Sequence, residues 1–440
     1  MPDCRRPPKR SRYVRHRSIC RVKTGEGAAE EWRRGWPLVL SATAGYTVGP
    51  LGVYTMSLYI RPLQEEFGWS KAFVTSGLMV NALVAVTLST IAGMAIDRFG
   101  PRRIGIAGVI CFCTSLALFA TNSGAALHWW ALWMLLALSM LAAKPTVWVA
   151  AITSRFDRSV GLALATVMCG STVTTTLGPL IAGWAIAEYG WRISYILTAG
   201  IWGAAALPLL FLFFFGQSDL NRTRRSGAQV VRTMRQGSLA GGPAMLKSPI
   251  YLRIVLACAL SQFIIAGTIV NLEPILTSDG LDRPSAIYLI SMIGVSMFMG
   301  RLIAGYWLDR HNPALFGALC FGIPAVAFAV LLLSAELNIA TGLCVVMAIG
   351  FATGAEFEQA AFMINRIFGQ SSFGMLVGTI LAVLAVGQGT GPMLFGYIFD
   401  QSGSYRAAFA FALPISLLAS LLIYSVGSAV RRAPMAAATF

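Results

Sequence analysis

About twelve apolar runs, each of about 20 residues or longer, follow one another along this chain with short polar turns between them. A helix of about 20 apolar residues crosses roughly 30 Å of hydrocarbon. Only helices or closed barrels satisfy their own backbone there. A barrel would show alternating segments of about ten residues, whereas these runs are continuous. One turn is written twice. Gly93-Met-Ala-Ile-Asp97-Arg98-Phe-Gly-Pro-Arg102-Arg103 ends one run, and Gly305-Tyr-Trp-Leu-Asp309-Arg310-His-Asn-Pro313 ends another, with the Asp-Arg pairs 212 residues apart. The expectation is an all-α membrane protein of about 12 transmembrane helices in two six-helix pseudo-symmetric halves.

The runs lie at 36–60, 72–96, 103–122, 127–153, 160–187, 192–215, 250–272, 285–308, 314–334, 338–364, 374–398 and 405–428. They divide the 440 residues into a basic tail 1–34, read as disordered and cytosolic, a half 35–216, a linker 217–249, a half 250–428 and a tail 429–440. The repeat extends past the turn. Ser154-Arg155-Phe156 matches Asn365-Arg366-Ile367, and Gly178-Pro179 with Gly183 matches Gly391-Pro392 with Gly396.

Charge is scarce, at 12% of residues against about 25% in soluble domains. The net charge of +16 does not point to nucleic acid, because 26 of the 34 Lys and Arg fall in the tails, the linker and alternate short turns. By the positive-inside rule that side is cytoplasmic, with both termini inside a cell (inner or plasma) membrane. The tail has no apolar core of a secretory signal. The eight cysteines are scattered and no Cys/His cluster has metal spacing, so neither a disulfide, a metal nor a cofactor is expected. There is no P-loop and no nucleophile motif, which argues against an enzyme or an ATP-driven pump.

The phrase Gly93 to Arg103 resembles the best-known signature of the major facilitator superfamily, and Gly170 to Gly183 resembles its fifth-helix Gly-Pro motif. Arg34-Gly-Trp36, Phe67-Gly-Trp-Ser70, Arg155-Phe-Asp-Arg158 with Gly161-Leu-Ala163, and an arginine in the eighth helix, Arg301, resemble the monocarboxylate transporter and oxalate/formate antiporter branch. Met297 stands where many eukaryotic monocarboxylate carriers have Asp, and the first-helix lysine of those carriers falls near Tyr54. The oxalate branch's eleventh-helix lysine is absent. The resemblance implies alternating access around a central cavity, a monocarboxylate-like organic anion as substrate, proton coupling or exchange, and a monomer in the lipid bilayer. An exporter of amphiphilic metabolites and a non-transporting sensor or scaffold are the competing readings.

Three charges sit deep in spans, where an ionisable group is costly and tends to be functional. From the nearest turn, Arg301 lies roughly 12 Å deep, Lys144 about 16 Å and Glu356 about 15 Å. Lys144 and Glu356 are themselves 212 residues apart. They are expected to form a charge pair across the pseudo-two-fold axis, with Glu358, about 200° around the helix, facing elsewhere. That leaves Arg301 as a forked anion site, the role that the resemblance gives the eighth-helix arginine; structural pairing with Glu358 is the bland alternative. Asp97, Arg98, Asp309 and Arg310 are read as latches at the cytoplasmic rim, or simply as polar helix ends. Further cavity candidates are Tyr46, Tyr54, Asn81, Gln262, Asn271 and Gln388, each equally able to bond a neighbouring helix.

Overall fold

A computed structural model describes residues 28–156, 159–215, 245–308, 312–334, 336–369 and 373–427. Each apolar run is helical, and among the described residues there is no strand. Ten stretches are long and apolar enough to cross a membrane. One of them, 160–213, is 54 residues long, which would be about 81 Å if straight. Gly190, at φ 79 and ψ 167, breaks it, and Ser194 Oγ donates to the Ala182 carbonyl at 3.1 Å across the bend. The stretch is therefore two antiparallel arms.

The first run is segmented into α1 (Ala28–Val48), α2 (Leu51–Tyr54) and α3 (Met56–Phe67). Gly49-Pro50 explains the first break, since Pro50 has no N–H to continue the ladder. Next come α4 (Lys71–Thr75), α5 (Gly77–Phe99), α6 (Pro101–Leu118), α7 (Ala126–Ala142) and α8 (Pro145–Thr153). Helices α9 (Val160–Met168) and α10 (Gly170–Phe213) end the first half. The second half holds α11 (Pro249–Val270), α12 (Leu272–Ser278), α13 (Arg283–Leu308), α14 (Pro313–Leu333), α15 (Ile339–Phe368), α16 (Phe373–Ser402) and α17 (Arg406–Ser425).

The described chain begins and ends on one face, here the near face. The turns at 68–70, 122–125, 279–282, 336–338 and 403–405 occupy the far face. Leu337 N–H donates to the Asp279 carbonyl at 2.7 Å, and Arg192 donates to the Ala120 and Asn122 carbonyls at 2.7 and 2.9 Å, tying far-face turns together. On the near face, Arg102 and Arg155 hold the end of α10. Arg102 donates to the Phe211 carbonyl at 3.0 Å and stacks 3.7 Å from the Phe215 ring centroid, and Arg155 reaches the Phe215 carbonyl at 3.5 Å while also donating to the Arg34 carbonyl on α1 at 2.6 Å.

The halves meet along α10 against α13 and along α4–α5 against α16. Both crossings need bare glycine. A Cβ on Gly294 would sit 2.6 Å from the Thr172 carbonyl oxygen, and one on Gly396 would sit 2.8 Å from the Ala72 nitrogen. At the far end the Asp400 carboxylate accepts the Lys71 and Ala72 N–H groups at 3.0 and 2.9 Å. It thereby caps the N-terminus of α4 from the other half, where helix N–H groups lack intrahelical partners. Lys71 Nζ lies 3.1 Å from the centre of the Phe399 ring. Arg283, paired with buried Glu273 at 3.3 Å, reaches the Leu58 carbonyl at 3.3 Å. Between described residues, the hydrogen bonds that join the halves lie at this far face or at mid-depth.

Candidate functional site

The mid-depth contact is made by Arg301. Its Nη1 donates to the Met168 carbonyl at 2.6 Å and to Ser171 Oγ at 3.0 Å, both in the first half. Its Nε lies 3.3 Å from Glu358 Oε1 on α15. The helix geometry prepares each partner. The chain breaks between α9 and α10, where Thr172 N–H turns to the Cys169 carbonyl at 3.1 Å. The Met168 carbonyl is thus left to Ser171 Oγ and to the guanidinium.

Glu358 is placed by a ladder of close contacts. Helices α13 and α15 both run from the far to the near face. A Cβ on Gly350 would lie 2.8 Å from the Ile293 carbonyl oxygen, and one on Gly354, a turn later, would collide with the Met297 carbonyl. Another turn along both helices brings Arg301 to Glu358. The ladder rises four residues on each side per step, so it sets the rotational phase of α15. Small residues that let backbones approach this closely are the usual basis of helix packing in membranes.

This phase corrects two expectations. Glu358 faces the interface between the halves, and it is Glu358 that pairs with Arg301. Glu356 points into the second half, where its side chain is 8% exposed and accepts from Ser261 Oγ at 2.5 Å. Cys258, Gln262, Thr353, Ile380 and Leu384 enclose it around a cleft of about 40 Å³, room for a few water molecules. No Lys144–Glu356 pair forms. Lys144 stands at the break between α7 and α8, at φ −64 and ψ 158. Pro145 explains the break, because a residue before proline is driven out of the helical region. None of the ion pairs among the described residues involves Lys144.

Tyr46 and Tyr54, from α1 and α2, join the Arg301 cluster. Both feel its charge, Tyr46 beside Ser171 and Tyr54 beside Thr175. Gln262 belongs instead to the Glu356 cleft. Gln388 sits on α16 between Gly387, which abuts α11, and Gly389, which abuts α5. Asn81 is buried on α5, and among the described residues it has no hydrogen bond to Arg301. Asn271 is spent on structure, donating to the Gly267 and Pro392 carbonyls at 2.9 and 3.2 Å and accepting from Tyr405. Arg98 is exposed at the near end of α5. The Asp97 side chain, Asp309 and Arg310 lie outside the described residues. Sequence reasoning did not select Ser171 or the Met168 carbonyl; the signal available was Cys169-Gly170, a weak point in a helical run.

Two helical bundles, closed on one face around a partly buried guanidinium shared between them, define a membrane transporter. The chain belongs to the Major Facilitator Superfamily, whose pattern matches residues 40–357. It is 25% identical over 395 residues to monocarboxylate transporter 13 of Bos taurus, covering 86% of each chain. It is 26% identical over 395 residues to a gallate transporter of Pseudomonas putida, covering 80% of this chain and 84% of that one. Among solved structures, a D-xylose–proton symporter superposes with a TM-score of 0.68 at 15% identity, covering 89% of this chain and 97% of that chain; this likeness concerns the fold.

Proposed function

We propose that this protein moves a small organic anion of the monocarboxylate type across a cell membrane by alternating access, with Arg301 as the anion anchor and the near face cytoplasmic. The observation that carries the reading is the position of Arg301. It is a fixed cation at mid-depth, 17% exposed, bonded to the first half while rooted in the second. A guanidinium offers a carboxylate two parallel N–H bonds. Tyr46, Tyr54 and Ser171 surround it with hydroxyls that can orient the rest of a ligand. The relatives named for monocarboxylates and for gallate share one chemical feature, a carboxylate, and that feature fits Arg301.

In this reading the side joined by the far-face contacts is the outside, and a ligand reaches Arg301 from the near face. Opening the other way requires the Asp400 cap, the Arg283 contact and the Arg301–Met168 bond to part. In this reading Lys144, half-buried and without a carboxylate partner among the described residues, adds positive potential along the entry path.

Purified protein in liposomes, offered a panel of radiolabelled aliphatic and aromatic monocarboxylates, tests the reading. Saturable flux of at least one, lost in Arg301→Ala, is expected. Flux confined to lipophilic cations, or no flux from well-folded protein, refutes it and favours an exporter or a sensor.

A further inference from the structure

Glu356 is a buried acid without a counter-charge. Its side chain is 8% exposed, and among the described residues no Lys, Arg or His pairs with it. A carboxylate out of water is neutralised by a basic partner, a proton or a bound ion. The polar groups around its cleft of about 40 Å³ separate the last two. Ser261 Oγ has spent its proton on Glu356 Oε1. Thr353 lines the cleft and spends its hydroxyl proton on the Ile349 carbonyl at 2.7 Å, so its oxygen has only lone pairs left to offer. Gln262 also lines it, and among the described residues nothing claims its amide oxygen. A proton on Glu356 would use one of these acceptors and none of the space. Lone pairs around a space of this size suit a hard cation, which takes oxygen ligands. A single carboxylate balances a single positive charge, whereas divalent ions gather several. The thiols of Cys258 and Cys320 lie beside Glu356, but among the described residues no group of three His, Cys, Asp or Glu could hold a metal of the softer kind. Phe357, 39% exposed, forms part of the wall, so the cleft is not sealed.

We propose that this cleft binds one small alkali cation, of the sodium class, with Glu356 as its charged ligand and Thr353 and Gln262 as neutral oxygen ligands. The ion restores neutrality inside the second half and ties α11 to α15. The lack of Cys/His spacing in the sequence excludes a transition-metal cluster and says nothing about an alkali ion, which needs only oxygens. The site is separate from the Arg301 cluster. Glu356 and Glu358 project about 200° apart around α15, and Glu356 points into the second half rather than toward the seam. The inference therefore stands whether or not Arg301 anchors an anion.

The test uses full-length wild type, Glu356→Gln and Thr353→Val, purified in detergent with no organic anion present. Melting temperature is followed in sodium, lithium, potassium and choline chloride at constant pH and ionic strength, and bound radiolabelled sodium is counted at equilibrium. Sodium should raise the wild-type melting temperature saturably, by a few degrees once it is well above its Kd, and one ion should bind per chain. Potassium should act only at concentrations about tenfold higher, and choline not at all. Glu356→Gln keeps the shape and removes the charge, so it should melt alike in all four salts and bind no sodium. Thr353→Val exchanges one ligand oxygen for a methyl group and should raise the sodium Kd about tenfold. A wild-type melting temperature that is equal in sodium and choline overturns the proposal and makes Glu356 a protonated core residue. So does a sodium response that survives in Glu356→Gln. Should Glu356→Gln fail to fold, a sodium Kd for Thr353→Val equal to that of wild type overturns it as well. Failure of the anion reading shows elsewhere, as vesicles that carry no carboxylate, and leaves these measurements untouched.

Discussion

Adding one methyl group at Gly294 should unbalance the carrier without unfolding it. In the far-face-closed state a Cβ there meets the Thr172 carbonyl at 2.6 Å and the Thr176 nitrogen at 2.7 Å. Thr176 Oγ1 can rotate away, but those backbone atoms cannot. Overpacking of this kind costs about 1–3 kcal/mol. The contact is between halves, so the cost falls on the closed state alone and is relieved when α13 parts from α10. A shift of about 1–3 kcal/mol moves the closed-to-open ratio by roughly 5- to 150-fold. The assay is pulsed electron resonance between spin labels at Glu188, beside the far-face bend of α10, and at Asp282, just before α13, in a cysteine-depleted protein. Gly294→Ala should populate a longer far-face distance while the melting temperature stays close to wild type. Gly354→Ala is the control, because its Cβ strikes Met297 within one half, in every state. It should lower the melting temperature, by about 2–4 °C for each kcal/mol, and leave the distance distribution alone. An unchanged distribution for Gly294→Ala, or a melting loss equal to that of Gly354→Ala, would refute the two-body account.

Asp400→Ala removes the cross-half cap on α4. The group is exposed, so the two N–H bonds should be worth only about 1–2 kcal/mol, and the same spin-label readout should show roughly a 5- to 30-fold shift toward far-face opening, with Asp400→Asn intermediate. Ser261→Ala strips the one hydroxyl that bonds buried Glu356. It should cost about 1–3 kcal/mol of stability, read as a lower melting temperature, and Glu356→Gln in the same background should recover part of it. Lys144→Gln breaks no ion pair among the described residues, so it should leave stability within about 0.5 kcal/mol of wild type, read as a nearly unchanged melting temperature, while slowing anion entry, seen as a raised KM at low ionic strength.

The sequence carried the architecture further than it carried the site. Continuous apolar runs, the duplicated Asp-Arg turn and the alternation of charge were sufficient for two membrane bundles, because hydrocarbon thickness and backbone satisfaction leave few other solutions. The depth of Arg301 was legible too, since depth follows from residue count and helical rise. Its partner was not. Glu356 and Glu358 differ by about 200° around one helix, and nothing in the repeat fixes which of them faces the seam. The phase is set by Gly350 and Gly354 meeting the Ile293 and Met297 carbonyls, a contact between helices far apart in the chain. The four-residue spacing Gly350, Gly354, Glu358 held that information, but only once the facing helix was known. Symmetry misled in the same place. Lys144 and Glu356 are repeat mates, yet Pro145 bends the fourth span at Lys144, and the second half has no matching break there. The helix breaks at Pro50 and Cys169 follow from local chemistry, but their use, to free a carbonyl for Arg301, depends on tertiary packing.

The central claim is that Arg301 binds a carboxylate that the carrier then moves. The most direct measurement compares uptake of a transported monocarboxylate by wild type, Arg301→Lys and Arg301→Ala in proteoliposomes of matched protein content. The account predicts saturable uptake by wild type. It predicts loss in Arg301→Ala and, because an ammonium cannot reproduce the fork, near-complete loss in Arg301→Lys, with all three proteins monodisperse. Wild-type uptake by Arg301→Ala would contradict it outright.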